Sequence, residues 1–314
     1  MSEPTHGTIE QAFYTLCSAG EYAAAYQLAT REAGRFPESA QSTIYNWRFC
    51  TACLMGDPEL ALRLIEEALD AGHWYGEADL REDSDLAALQ GMPEFERLIA
   101  IASQRRDEAL AQAKPELKIL VPANGAAPYP LLLALHGNSS NIADSERYWR
   151  SAVEQGWLVA LPQSSQPMGA QTYGWNDRDW AVREITQHGA KVREHYPVDP
   201  ARVVVAGFSM GGGLAAWLAL SGTLAVHGFI GVGPFLANVE SVLPLLEAPR
   251  ERLLRGYLIA SQRDEYCYGV AQKLAELLPP HGIACELELH PDLGHDFPPE
   301  FERSLIKGLN FIMQ

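Results

Sequence analysis

Basic residues are scarce in this chain relative to acidic ones. Its 314 residues include 24 lysines and arginines against 40 aspartates and glutamates, which gives a formal net charge of −16. Nucleic-acid backbones and anionic membrane surfaces are both bound by clustered positive charge. The composition therefore argues against nucleic-acid and membrane partners. It favours solubility and says little about the fold.

Long apolar runs and paired cysteines are missing too. No run approaches the roughly 18 apolar residues of a membrane-spanning helix. The first residues, MSEPTHGTIEQ, lack the basic and apolar regions of a secretory signal, so we expect a cytoplasmic protein. The five cysteines do not suggest a disulfide framework. Cys50 and Cys53 form a C-x-x-C motif, but no second Cys/His pair stands nearby in the sequence. Core packing is the preferred interpretation, and we expect no metal and no cofactor.

The first part of the chain, residues 1–112, has the pattern of an all-helical domain. Ala, Leu, Glu and Arg dominate, and the pattern predicts helices at 8–18, 21–34, 40–55, 58–71 and 94–113. Segment 16–29 is echoed at 53–69, with turn glycines at Gly20 and Gly56. Helix pairs that repeat about every 34 residues are typical of tetratricopeptide arrays, which this half resembles. It could join two copies of the chain or bind a protein partner.

The second part, residues 113–314, alternates short apolar runs with helical segments. Most of the runs are nearly continuous, as in strands buried on both faces of a parallel sheet, and together they predict seven strands at 117–122, 130–137, 157–162, 202–208, 229–235, 255–261 and 285–290. The segments between them predict helices at 145–155, 177–195, 210–221, 239–247 and 266–279. This alternation is typical of a doubly wound α/β sheet, whose sites lie at the carboxyl ends of the strands.

One strand end carries a candidate nucleophile. Gly207-Phe208-Ser209-Met210-Gly211 follows an apolar strand and opens a helix, which is the context that a G-x-S-x-G motif requires. A sharp turn there crowds the positions two before and two after the serine, so both should be glycine. We predict that Ser209 is the nucleophile, raised above the sheet by this turn.

A second strand end carries a candidate oxyanion site. The strand at 130–137 runs into His136-Gly137-Asn138-Ser139. A tetrahedral intermediate needs two preorganised N–H donors near its oxygen. We predict that these are the backbone N–H groups of Met210 and Asn138, and that His136 braces the loop.

A base and its orienting acid are expected late in the chain, in the order Ser, Asp, His. His295 follows the last strand in a loop, and Asp264 comes three residues after the strand at 255–261. We predict that His295 is the base and Asp264 its partner. Glu265 is the fallback, and Asp292 and Asp296, which flank the histidine, are further alternatives.

At these residues the chain resembles the α/β-hydrolase superfamily, and within it the carboxylesterase/phospholipase-like esterases. The resemblance covers about residues 115–314 and rests on LLLALHGNSSN, VDPARVVVAGFSMGGGLA and LGHDFPPEF. It implies hydrolysis of small-molecule esters or thioesters without a metal or organic cofactor. The sheet would be one strand short of the superfamily's usual eight.

Other functions remain open at this point. The loop 163–179 follows a strand end, so Tyr173 and Trp175, together with Ser139, are predicted to contact the substrate. A small or medium acyl group is expected, because neither a basic cluster nor an apolar lid is evident. A peptidase or amidase with the same triad, or a binding protein that uses the helical repeats, is the alternative.

Overall fold

The computed structural model describes residues 6–247 and 253–314. Two compact units emerge from it. The first runs to Ala113 and also takes in the short segment Pro167–Tyr173, whereas Lys114–Gln166 and Gly174–Gln314 form the second. The predicted domain boundary after residue 112 lies next to this division, although residues 1–5 of the predicted first domain are outside the described chain. The segment 167–173 had been assigned to the second domain.

The helices of the first unit agree closely in position with the sequence pattern. They are α1 His6–Ser18, α2 Tyr22–Glu32, α3 Gln41–Leu54, α4 Pro58–Asp70, α5 Glu77–Glu82 and α6 Pro93–Gln112. Short 3-10 helices occur at Ala33–Arg35, Glu38–Ala40 and Ser84–Leu89. Helix α5 was not expected from the sequence. The first four helices pack on one another in chain order, but a tetratricopeptide array stays a prediction.

The start of α4 shows how the sequence sets these boundaries. Gly56 adopts a left-handed conformation with φ +80° after α3, as suits a helix end. The Asp57 side chain then accepts a hydrogen bond from the Leu60 N–H, and Pro58 occupies the first turn. Cys50 and Cys53 are both buried in the apolar core that α3 and α4 share.

A mostly parallel seven-stranded sheet forms the second unit. Its strands are β1 Glu116–Leu120, β2 Tyr129–Leu135, β3 Leu158–Gln163, β6 Val198–Phe208, β7 Gly228–Val232, β8 Arg255–Ala260 and β9 Ala284–Leu289. Their order is β1-β3-β2-β6-β7-β8-β9, and β1 alone is antiparallel to its neighbour. The two remaining strands, β4 Pro167–Gly169 and β5 Thr172–Tyr173, form a hairpin that belongs to the first unit.

Helices cover both faces of the sheet. They are α7 Ile142–Trp149, α8 Ser151–Glu154, α9 Arg178–His195, α10 Met210–Leu220, α11 Leu243–Leu246, α12 Glu265–Leu277 and α13 Phe301–Ile312, with 3-10 turns at Val239–Val242 and Pro279–His281. Alternate residues of β2 enter different cores: Leu131 and Leu133 face one, and Leu132 and Ala134 face the other. A strand buried on both sides reads as a continuous apolar run, because successive side chains point to opposite faces.

The structure confirms the predicted fold class and all seven strands of the sheet. Among the described residues, the sequence pattern does not predict α5, α13, the β4–β5 hairpin or the 3-10 helices at Ser84–Leu89 and Pro279–His281. Helix α13 was visible in principle, because Phe301, Leu305 and Leu309 recur at helical spacing and are buried against the sheet. The segment expected as one helix at 145–155 is divided into α7 and α8, and the segment at 239–247 begins as a 3-10 turn. Among the described helices, none has both the length and the apolar character needed to cross a bilayer.

Candidate active site

Ser209 stands on a strained turn between β6 and α10. Its backbone has φ 53° and ψ −121°, a conformation that L-residues rarely adopt. Backbone bonds to the segment around β7 hold the turn: the Ser209 N–H donates to Val232 at 2.8 Å, and the Ser209 carbonyl accepts from Phe235 at 2.9 Å. The turn therefore raises the hydroxyl at the carboxyl end of the sheet.

Close backbone approach explains the glycines around this serine. A Cβ on Gly207 would lie 2.3 Å from the carbonyl carbon and oxygen of Gly211, and one on Gly211 would lie 2.3 Å from the His136 carbonyl oxygen. A Cβ on Gly213 would meet the Phe235 carbonyl oxygen at 1.8 Å. No larger side chain fits at these positions without moving backbone. The crowding expected from the motif is thus present at both positions named from the sequence.

His295 links the serine to a carboxylate. Its Nε2 lies 2.9 Å from Ser209 Oγ, and its Nδ1 lies 2.5 Å from Asp264 Oδ2. Asp264 caps α12, accepting a bond from the Cys267 N–H on its other oxygen. The His295 ring also packs against Phe208, with ring centroids 4.8 Å apart. The three residues predicted as a triad are brought together in one hydrogen-bonded line.

The alternative acids lie elsewhere. Asp292 pairs with Arg263 at 2.9 Å, and the Asp296 carboxylate accepts from the Phe297 N–H. Glu265 is exposed at the first position of α12. Asp264 is thus the carboxylate that holds the His295 ring.

The electrostatics of Asp264 agree with this arrangement. Burial by itself raises the pKa of a carboxyl group, but the hydrogen bond from His295 and the charge of that ring outweigh burial and lower the pKa of Asp264. The carboxylate is therefore ionised at neutral pH. An ionised partner orients the imidazole and stabilises its cation.

The loop after β2 passes close to the nucleophile. A Cβ on Gly137 would lie 3.6 Å from the Cβ of Ser209. Asn138 is exposed just beyond, and Ser139 adopts a positive φ of 49°. Met210, the residue after the nucleophile, is the first residue of α10. The two backbone amides predicted to form an oxyanion site thus belong to segments that meet at Ser209.

A buried, neutral histidine holds this loop in place through two hydrogen bonds. His136 is 1% exposed, and burial lowers its pKa to about 4. Its Nδ1 lies 2.7 Å from the Gly137 carbonyl oxygen, so that nitrogen carries the proton. The other ring nitrogen, Nε2, then accepts from the Ser164 N–H at 3.3 Å. Such a ring ties the loop after β2 to the loop after β3.

Trp175, one of the residues predicted to contact the substrate, packs against His136. It is 4% exposed, its ring stacks on His136, and its indole N–H donates to the His136 carbonyl at 2.9 Å. Tyr173 belongs to the hairpin of the first unit, and Ser139 is partly exposed. Substrate contact by these three residues stays a prediction.

Two residues beside the triad were missed by sequence reasoning. Gly233, directly after β7, leaves room for the triad: a Cβ there would lie 3.3 Å from His295 Nδ1 and 3.5 Å from Asp264 Oδ2. Cys267 is buried against Asp264; burial and, next, the charge of that carboxylate raise the pKa of its thiol. Gly233 lies at the carboxyl end of a predicted strand, a position that could have drawn attention to it.

The helical region matches a known family. Residues 8–110 match a model described as the A/B hydrolase-like N-terminal domain. A solved structure of an uncharacterised protein from Bacillus cereus ATCC 10987 is similar along the whole chain, with 27% identity, a TM-score of 0.56, and coverage of 98% of this chain and 99% of that one.

Esterases share the fold of the second part. Esterase PE8 covers 63% of this chain and 99% of its own, at 18% identity and a TM-score of 0.52. A Bacillus cereus carboxylesterase covers 66% and 99%, at 15% identity and a TM-score of 0.51. The chain therefore has the α/β-hydrolase fold, preceded by a helical region of the kind that the family model describes.

A curated relative is similar over a shorter stretch. The bifunctional acetylxylan esterase/xylanase of Neocallimastix patriciarum is 32% identical over 101 residues. That stretch is 31% of this chain but 14% of the relative, so the match spans a small part of the longer protein. This relative and the two structural neighbours of known activity named above are esterases, in agreement with the expectation of an enzyme.

Proposed function

We propose that the chain is a serine hydrolase that cleaves carboxylic esters or thioesters. The observation that carries this proposal is the continuous hydrogen-bonded line from Ser209 through His295 to Asp264, with separations of 2.9 Å and 2.5 Å. A serine hydroxyl is a poor nucleophile until a positioned base accepts its proton. A strained turn that supports such a line has its clearest use in nucleophilic catalysis.

Each residue has a role in the proposed reaction. Ser209 Oγ attacks the acyl carbon while His295 Nε2 takes its proton, and Asp264 stabilises the resulting imidazolium. The tetrahedral intermediate collapses when His295 gives that proton to the leaving oxygen or sulfur, which leaves an acyl-Ser209 ester. Water, deprotonated by His295 Nε2, then attacks this ester, and return of that proton to Ser209 Oγ releases the acid and restores the enzyme, so that every proton transfer uses the same ring nitrogen.

The negative charge of the intermediate requires donors that are fixed in advance. We assign these donors to the backbone N–H groups of Met210 and Asn138. Support comes from the close glycine contacts between the loop after β2 and the turn at Ser209, and from the hydrogen bonds by which His136 holds that loop. Preorganised donors of this kind are worth about 3–4 kcal/mol each to the transition state.

The acyl group in this proposal is small. The local similarity to an acetylxylan esterase supports a short acyl chain. The likeness covers one third of the chain, and the carbohydrate part of that relative's activity is not carried over. Phe235 donates its backbone N–H to the Ser209 carbonyl, and its ring packs at a tilt against Tyr266, with centroids 5.2 Å apart.

Hydrolysis of p-nitrophenyl esters from acetate to laurate tests the proposal, with Ser209→Ala measured beside the native protein. We expect turnover that is highest for the short esters and absent from the variant. Equal turnover by both proteins would refute Ser209 as nucleophile. Activity on p-nitroanilides in place of esters would favour the amidase alternative, because the same triad serves both leaving groups.

A further inference from the structure

A second set of potential ligands surrounds the carboxylate of the triad. The Sγ of Cys267, a carboxylate oxygen of Asp264 and a ring nitrogen of His295 all lie within 4.8 Å of one another. The ring nitrogen on that side is Nδ1, since it faces Asp264 at 2.5 Å. Sulfur, imidazole nitrogen and carboxylate oxygen are the ligand types that bind zinc and its heavier relative cadmium.

We propose that Cys267, Asp264 and His295 form an inhibitory site for a thiophilic divalent cation such as Zn²⁺ or Cd²⁺. On binding, the thiol proton of Cys267 and the Nδ1 proton of His295 pass to solvent. The cation forms bonds to Sγ, to Nδ1 and to one oxygen of Asp264. A water molecule completes the tetrahedron that zinc prefers.

The separations are compatible with this exchange after a small movement. Zinc bonds of about 2.0–2.3 Å at tetrahedral angles place neighbouring ligand atoms roughly 3.3–3.6 Å apart. The Nδ1 and Oδ2 atoms, 2.5 Å apart, would have to separate by about 1 Å. Gly233 has no side chain on one side of the pair, where a Cβ would make a tight contact of 3.3 Å with His295 Nδ1 and would lie 3.5 Å from Asp264 Oδ2.

Access to the site comes from the side of the histidine. Cys267 is 4% exposed, and the side chain of Asp264 is 11% exposed, but that of His295 is 35% exposed. Cys267 is also the nearest thiol to the triad by topology. Cys285, the other cysteine of the second unit, is at the beginning of β9, whereas His295 and Asp264 follow the ends of strands.

Inhibition follows from the loss of the triad's central hydrogen bond. Once the cation occupies Nδ1, Asp264 no longer holds the ring or stabilises its protonated form. Nε2 is then a weaker base toward Ser209. The inhibition rests on the proposed function, but the binding does not, so the two are measured separately.

Binding is tested with Cd²⁺ alone, through the near-ultraviolet absorption of the cadmium–thiolate bond. The Ser209→Ala protein is used, so that the result does not depend on turnover. We expect the absorption to fall in Ser209→Ala/Cys267→Ser and to stay unchanged in Ser209→Ala/Cys285→Ser, the matched control. Equal absorption in all three would overturn the proposal. Should the Cys267 variant not fold, Ser209→Ala/His295→Ala tests the same site, because residue 295 lies in a loop. This variant should bind Cd²⁺ more weakly than the Ser209→Ala protein does.

Inhibition is tested with Zn²⁺ on ester turnover, each variant being referred to its own rate with a chelator present. We expect the inhibitory midpoint to rise by at least about 100-fold in Cys267→Ser and to stay unchanged in Cys285→Ser. Equal midpoints for the native protein and Cys267→Ser would refute the inhibition. Absence of ester turnover in the native protein, with the cadmium absorption intact, would instead refute the proposed function and leave the cation site standing.

Discussion

Mild acid should destabilise the second unit through one buried histidine. Burial is the main cause that lowers the pKa of His136 to about 4 from an ordinary 6.5, and the hydrogen bond with the Gly137 carbonyl opposes it only in part. Because the folded-state pKa lies below the unfolded value, the unfolded chain takes up the proton first as the pH falls. The stability that neutral His136 contributes is therefore complete above pH 6.5 and is lost progressively toward pH 4.

The size of this loss follows from the two pKa values. A difference of about 2.5 units is worth about 3.4 kcal/mol when it is fully expressed. Between pH 7.5 and pH 5.0 the same two values give about 2 kcal/mol. The ring is almost completely buried, at 1% exposed, so screening by solvent does not reduce this figure. Protonated Nε2 would also turn a donor toward the Ser164 N–H, which now donates to it.

Urea unfolding at the two pH values measures the effect. The native protein is compared with His136→Gln, whose side chain keeps a donor and an acceptor but does not titrate. We expect the native protein to lose about 2 kcal/mol more than the variant between pH 7.5 and 5.0. Burial also lowers the pKa of His188 to about 4. Both proteins carry this histidine, so its contribution to the pH dependence cancels from the difference between them. His281→Gln, at an exposed position, should behave as the native protein does. An equal loss in the native protein and His136→Gln would refute the reasoning.

Three further changes test the turn at Ser209, the candidate triad and a carboxylate of β9. Gly207→Ala puts a Cβ 2.3 Å from backbone atoms of Gly211, so we expect a loss of about 3 kcal/mol in thermal or urea unfolding, whereas Gly269→Ala, with open space around it, should cost nothing. Asp264→Asn should lower kcat by on the order of 10⁴-fold with little change in KM; a loss below tenfold in steady-state assays would contradict its role. Glu288 is partly buried, which raises its pKa, but hydrogen bonds from its neighbours outweigh burial and hold the pKa at about 2. Its contribution should be complete above about pH 4.5 and vanish as the pH falls through 2, so Glu288→Gln should cost about 1–2 kcal/mol at pH 7, after allowance for solvent screening, and progressively less in acid.

The proximity of the three candidate catalytic residues could be predicted from sequence because each follows the carboxyl end of a recognisable strand. Continuous apolar runs indicate β6 and β8, the alternating run at 285–290 indicates β9, and polar residues follow each of these strands. Parallel strands bring their carboxyl ends to one edge of the sheet, so Ser209, Asp264 and His295 had to be near one another once the strands were right. The line of hydrogen bonds through these residues in the structure adds the orientation, which spacing alone cannot give.

The surroundings of the triad were harder to predict, because they depend on contacts between distant segments. Trp175 was named from its place in a long loop, but its indole is engaged with the carbonyl of His136, 39 residues earlier in the chain. The hairpin 167–173 interrupts the same loop and belongs to the first unit. Neither partner is encoded in the local pattern, so position in a loop did not reveal what the loop touches.

The glycines of the turn at Ser209 are likewise constrained by contacts between segments, which the local sequence does not show. Two of these glycines are required by backbone from distant segments, since a Cβ on Gly211 would meet the end of β2 and the loop after it, and a Cβ on Gly213 would meet the segment after β7. The glycines of the motif are therefore required by contacts that form only when these distant segments pack against the turn. The strained φ of Ser209 is held in part by the bond that its N–H donates to the Val232 carbonyl and by the bond that its own carbonyl accepts from the Phe235 N–H. The reactive geometry is thus a property of the assembled sheet, which is why a change at Gly207 should reduce stability and catalysis together.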